Sequence, residues 1–345
     1  MQSNAADISS IVEKSIPKTK PVQYKEPWIF RLGDEFRLFS VQLLCLGGAG
    51  AIAKTAVAPL ERVKLLLQVQ PVSCTPKSQQ YKGLLDALRE IPIREGGLKA
   101  LYRGNGANVL RLVPEVGFKY ALHEQLQVLF APSDGSLPGV SQKLVTSSAT
   151  GIFKTALLYP LDLACTRIAT DSSLPGQART YGTIRSCLAD TFMTEGVRGL
   201  YKGMGLSLLV VVPYLSISFT AYDQLKLMLL HEQGPKPHWW SALLQLGCGS
   251  GAAVVAQTLV YPLDTIRRRL QLSRAKGFTA DYSGLKALDC ARQMLRTEGF
   301  SSFYRGCFVN CLRTTPGMAL QFVAYDLIKV GVNKIDPTAG MASPL

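Results

Sequence analysis

Apolar and polar stretches alternate along this chain in a pattern that recurs about every hundred residues. Six apolar segments stand out, over roughly 36–63, 106–129, 142–164, 205–230, 241–266 and 307–330. Each exceeds the roughly 20 residues that a helix needs to cross a bilayer. None is uniformly apolar. Polar or charged residues interrupt the middle of each, as suits helices with one face toward lipid and another toward a water-filled cavity. The first, third and fifth segments are rich in small residues: Gly47-Gly48-Ala49-Gly50, Ser147-Ser148-Ala149-Thr150-Gly151 and Gly247-Cys248-Gly249-Ser250-Gly251. Small side chains let membrane helices approach closely and mark interior packing faces. Between the two segments of each pair lies a long polar stretch with a short amphipathic pattern, around 86–94, 184–194 and 288–297. The whole predicts an all-α membrane protein with six transmembrane helices in three pseudo-threefold repeats, each carrying one short extra helix. Its parts are a polar tail over 1–34, repeats over 35–130, 141–230 and 240–333, and a second tail over 334–345.

One motif marks the repeat. Pro59-Leu60-Glu61-Arg62-Val63-Lys64 ends the first segment and returns as Pro160-Leu161-Asp162 and as Pro262-Leu263-Asp264-Thr265-Ile266-Arg267, 101 and 102 residues further on. Spacing this regular fixes the architecture before any single residue is interpreted. A proline two residues before an acid and five before a base bends the helix and turns both charges toward the bundle centre. Three such helices around one axis can link acids to bases and close one end of a cavity. Ions inside a membrane are costly unless paired, so they carry function by default.

Charge decides between two partners. A net charge of +14 suits either nucleic acid or membrane topology. The stretches 64–103, 165–203 and 267–306 carry 7, 5 and 9 Lys/Arg, whereas the connectors 127–142 and 227–240 carry none and one, Lys236. That asymmetry puts the long loops on the negative side of a membrane and both termini on the other, and it excludes nucleic acid. A hydrophobic content of 47% with a mean hydropathy of +0.14 agrees with a bundle around an aqueous cavity. The eight cysteines contain no CxxC pair and several lie in apolar segments, which reads as small buried thiols. His123, His231 and His238 are too scattered for a zinc site. There is no nucleophile–base set and no phosphate-cradling loop, so no enzyme, cofactor or metal is expected. The first 34 residues show neither a secretory signal nor an acidic calcium loop.

The threefold motif resembles the mitochondrial carrier family over about residues 35–333. Each repeat also holds the family's Gly…Tyr-basic-Gly element: Gly97 with Tyr102-Arg103-Gly104, Gly196 with Tyr201-Lys202-Gly203, and Gly299 with Tyr304-Arg305-Gly306. The resemblance implies cardiolipin phosphates at these helix N-termini, where exposed amides and the positive dipole end attract an anion. It also implies the mitochondrial inner membrane, termini facing the intermembrane space, and a functional monomer around its own cavity. A matrix gate follows from Glu61, Lys64, Asp162, Asp264 and Arg267, braced by Gln68. Here the resemblance pairs Lys64 with Asp162 and Arg267 with Glu61. Cys165 stands where the family has a base, which leaves Asp264 to Arg167 or Arg268. A cytoplasmic gate follows from Glu124, Asp223, Lys226, Asp326 and Lys329, with Gln127 in place of the third base. Two pairs per gate instead of three imply gates that open easily.

Three cations fall near mid-membrane: Lys54, Arg111 and Arg313. Arg111 and Arg313 sit at matching places, in Asn108-Val109-Leu110-Arg111 and Asn310-Cys311-Leu312-Arg313, and match two of the family's substrate contacts. Three bases at one depth favour a polyanion. Lys119 can join them, or pair with Glu115 one turn earlier. The remaining contact position reads Val210-Val211 with Tyr214, a slot for a flat base. Residues 53–70 resemble ADP/ATP carriers, and residues 103–119 resemble ATP-Mg/phosphate carriers. The reading is exchange of an adenine nucleotide by alternating access. Coenzyme A or another nucleotide-like anion stands as the alternative, and a non-transporting structural subunit of a membrane complex as the reading from a different class.

Overall fold

A computed structural model describes residues 34–73, 76–130, 139–171, 180–230, 238–275, 278 and 287–335. Six long helices carry the fold: α1 (Asp34–Val69), α3 (Asn105–Leu129), α4 (Val140–Thr170), α6 (Met204–Leu230), α7 (His238–Leu272) and α9 (Cys307–Ile335). Three shorter ones, α2 (Leu84–Glu95), α5 (Ile184–Leu200) and α8 (Ala287–Glu298), lie one in each repeat. The two tail assignments fall outside the described residues, apart from Asp34, Lys334 and Ile335, which are helical. The shortest long helix has 25 residues, about 37 Å at ~1.5 Å per residue, enough for a hydrocarbon core of about 30 Å. Among the described residues, α1, α6 and α7 contain stretches both long and apolar enough to be membrane spans on composition alone. The helices α3, α4 and α9 have the length but carry charges such as Arg111, Glu115, Lys154 and Arg313.

The long helices form a closed ring in the order α1, α3, α4, α6, α7, α9 and back to α1. Small residues set its spacing. A Cβ on Gly50 would stand 2.7 Å from Leu112, one on Gly151 2.7 Å from Val211, and one on Gly251 3.2 Å from Leu225. Side chains of α3 and α6 thus fill the gaps left by the glycines of α1, α4 and α7.

Beneath the ring, every repeat builds a buried acid held by two cations. Glu95 accepts from Arg62 at 2.6 Å and Arg103 at 2.9 Å, and Glu195 from Arg167 at 2.7 Å and Lys202 at 2.9 Å. Glu298 is bonded to Arg269 and lies 3.9 Å from Arg305. Arg167 and Arg269 stand seven residues after their prolines, whereas Arg62 stands three after Pro59. The shift is about one helical turn, and the long guanidinium side chain spans it. Burial pushes the Glu195 carboxyl up, but its bonds to Arg167 and Lys202 outweigh that and hold it below the usual glutamate range. Glu195 is therefore ionised at neutral pH.

Tyrosines preceding two of the motif prolines tie the short segments to the long ones. Tyr159 donates to Lys202 O at 2.6 Å and stacks on Tyr201, while Tyr261 donates to Arg305 O at 2.8 Å and stacks on Tyr304. Repeat 1 has Ala58 at that place. All six glycines of the Gly…Tyr-basic-Gly elements have positive φ. Gly104 (φ +86°) needs it most, since a Cβ there would lie 2.9 Å from the Ala169 backbone on α4. Gly306 (φ +80°) lies as tightly against Lys64 O on α1, at 3.0 Å. Each repeat therefore rests on the odd helix of the next. Gly104→Ala combines backbone strain, of order ~1–3 kcal/mol, with a clash against that neighbour. Thermal unfolding of the purified protein is expected several degrees lower; an unchanged midpoint would show that the contact is not tight.

Candidate substrate cavity and its floor

A cavity of about 790 Å³ runs down the bundle between α3, α4 and α6. Its floor is ionic. Asp162 is bonded to Arg267 and lies 3.3 Å from Arg111, 3.6 Å from Arg268 and 3.1 Å from the Gln271 amide. Asp264 takes Lys64 at 3.1 Å and lies 3.8 Å from Arg268 and 3.5 Å from Gln68. Lys64 also sits 5.3 Å over the Tyr261 ring, and Arg267 5.8 Å over Tyr159. At the opposite end Asp223, Lys226, Asp326 and Lys329 are described, and none of them joins an ion pair among the described residues. Gln127, standing in for a base there, meets the His123 ring at 2.9 Å. The ring of charges near the short helices is joined by ion pairs; at the far end those four residues are not, and Glu124 has a contact of its own. These pairs close the cavity at the first end.

The floor corrects the expected pairing. Lys64 meets Asp264, not Asp162, and Arg267 meets Asp162, not Glu61. Acid and base three residues apart lie about 60° apart around the helix, after three steps of about 100°, so one can point to each neighbour. Sequence spacing supplies that angle but not which neighbour lies on which side. Each base reaches the acid of the repeat before it. Cys165 consequently deprives Glu61 of a partner, and Asp264 keeps Lys64. Glu61 makes no ion pair among the described residues and lies, with Cys165, in the field of Lys54 and Arg111. Arg268 does serve Asp264, whereas Arg167 is engaged below the floor by Glu195.

Higher in the cavity Glu115 is the hub. It lies 3.0 Å from Lys154, 3.4 Å from Arg111 and 3.8 Å from Lys54. Lys119, read as either a further cavity cation or a partner of Glu115, lines the cavity and makes no ion pair among the described residues. Val210, Val211 and Tyr214 form an apolar and aromatic wall on α6. Arg313 does not line this cavity. It turns to Asn310 at 3.3 Å, beside an uncharged network in which Asn310 and Thr314 both donate to Gln257. Sequence reasoning missed Lys154. Its one signal was position, six residues before Pro160 where Lys54 lies five before Pro59. It also missed Gln271, nine residues after Pro262 as Gln68 is after Pro59.

Residues 37–134, 137–233 and 238–335 each match the family described as mitochondrial carrier protein. The chain belongs to the mitochondrial carrier family. Members of this family are transporters, and the carrier is one, not an enzyme. It is 37% identical to human ADP/ATP translocase 4 over 303 residues, covering 84% of this chain and 91% of that one. To bovine ADP/ATP translocase 2 it is 36% identical over 303 residues, 84% and 97% of the two chains. A maize mitochondrial carrier protein, CoAc1, is 34% identical over 311 residues, 86% and 88% of the two.

Cys165→Arg tests the reading of the floor. An arginine there meets Glu61, adding a third acid–base pair; the carrier should unfold at higher temperature and transport more slowly. If rate and stability both stay at the wild-type level, the missing base has no bearing on the gate.

Proposed function

We propose that the carrier exchanges an adenine nucleotide across the mitochondrial inner membrane by alternating access. The observation that carries this reading is the charge of the cavity and floor. Seven cations (Lys54, Lys64, Arg111, Lys119, Lys154, Arg267 and Arg268) face four carboxylates (Glu61, Glu115, Asp162 and Asp264). The excess of three positive charges suits the phosphate chain of a nucleoside di- or triphosphate. Arginine and lysine bind such oxygens through charge-assisted hydrogen bonds. Across from them, the Val210, Val211 and Tyr214 wall offers an adenine ring an apolar, aromatic surface. Similarity to two ADP/ATP translocases supports the same choice. In this reading Glu115 holds Lys54, Arg111 and Lys154 in place and yields them to the incoming phosphates.

The sidedness proposed from loop charge puts the short helices and the ionic floor in the matrix, with both termini in the intermembrane space. Cardiolipin is the lipid proposed at the glycine elements. A surface pocket of about 420 Å³ between repeats 1 and 2 places Lys99, Arg103 and Gly104 opposite Gly182 and Thr183. Coenzyme A, which joins adenine and phosphates to a long neutral arm, is the second reading. Its support is the similarity to the maize CoAc1 carrier.

Proteoliposomes loaded with ATP and offered labelled ADP, coenzyme A or phosphate should take up ADP saturably. Arg111→Ala and Lys154→Ala should each lower that uptake at least tenfold, the cost of roughly 1.5–3 kcal/mol for one charged hydrogen bond. Preferred uptake of coenzyme A moves the carrier to the second reading. No uptake of any of the three by folded protein rejects both.

A further inference from the structure

The buried Glu–cation clusters do more than stabilise their own repeats. Arg103 donates to Asp171 O at 2.8 Å and Arg62 to Ala169 O at 3.4 Å. Both acceptors lie at the C-terminal end of α4, in repeat 2. One boundary further round, Arg167 donates to Gln271 O at 3.1 Å and Lys202 to Ser273 O at 3.3 Å. Those acceptors lie at the C-terminal end of α7, in repeat 3. The last carbonyls of a helix have no partner within it and carry the negative end of its dipole, so a cation is the favoured cap. In each case the cap comes from a different repeat than the helix it closes. Arg62 and Arg167 are almost wholly buried, at 2% and 1% exposed, so their bonds are not diluted by water.

We propose that these cations form a second lock below the acid–base floor, with Arg103 and Lys202 as positioning residues for the transport cycle. Opening the floor separates α1, α4 and α7, and it must pull Ala169 and Asp171 from repeat 1 and Gln271 and Ser273 from repeat 2. The lock weighs most between repeats 1 and 2. There Cys165 gives Glu61 no base, and among the described residues no acid–base pair joins α1 to α4. Between repeats 2 and 3 the Arg267–Asp162 bond remains if the lower cap is lost. The two boundaries should therefore respond differently to loss of the same kind of cap.

The inference rests on transport by this family and not on the identity of the substrate. Its test is peptide-resolved hydrogen exchange of the full-length carrier in lipid nanodiscs. Arg103→Met leaves Glu95 paired with Arg62, and Lys202→Met leaves Glu195 paired with Arg167, so neither variant strands a buried acid. Arg103→Met should speed exchange over residues 164–171 about tenfold, the ratio that accompanies ~1.4 kcal/mol. Lys202→Met should act less on 267–273. Arg103→Lys should restore protection in part, and Cys165→Arg added to Arg103→Met should restore most of it through Glu61. A general structural role predicts faster exchange throughout repeat 1 and no rescue by Cys165→Arg. That result, or unchanged exchange over 164–171, overturns the proposal. Should Arg103→Met fail to fold, Lys202→Met decides alone: protection over 267–273 equal to wild type also overturns it.

Discussion

Carboxylates at the level of the motif prolines call for cations, because an unpaired charge inside a membrane costs several kcal/mol. Asp162 and Asp264 find partners, and among the described residues Glu61 lies only in the field of Lys54 and Arg111. Asp162 illustrates the constraint. It draws Arg111 from α3 and Arg267 and Arg268 from α7 onto one side chain of α4. That convergence closes the bundle at one end and puts the cavity above it. It also spends part of the positive charge that the cavity would otherwise offer to an anion. Glu115 acts in the same way one level higher, gathering Lys54, Arg111 and Lys154. Arg111 belongs to both sets and couples the substrate level to the floor.

Threefold repetition in the chain does not give threefold equality in the structure. Two odd helices close against each other with a base and a bracing glutamine, Lys64 with Gln68 and Arg267 with Gln271. Repeat 2 has Cys165 and Ala169 at those two positions. The deficit falls on one boundary, between repeats 1 and 2, where the polar contacts left to α1 and α4 come from below the floor. The missing pair is the one between α1 and α4; Arg111 and Glu115 of repeat 1 still hold Asp162 and Lys154 of repeat 2.

Much of this was legible in the sequence because it is local. Helix number, the three-repeat plan, the packing glycines and the motif charges follow from spacing and side-chain size along single segments. The pairing sense of the floor was not legible. The angle between Glu61 and Lys64 is set by the helix, but the neighbour each one faces is set by the handedness of the ring. Arg313 looked equivalent to Arg111 in register, yet Asn310 and the Gln257 network hold its surroundings away from the cavity. Lys154 escaped notice because it is displaced by one residue from the motif register, a shift of about 100° that only the surrounding helices convert into a cavity position.

The central claim is that clustered cations, held by Glu115 until an anion arrives, select a polyphosphate. An experimental structure of the carrier with ADP bound tests it most directly. The account predicts phosphate oxygens within hydrogen-bond distance of Arg111 and Lys154, the adenine against Tyr214 and Val211, and Glu115 turned away from Lys154. Phosphates bound elsewhere, with the Glu115–Lys154 pair intact, would contradict it.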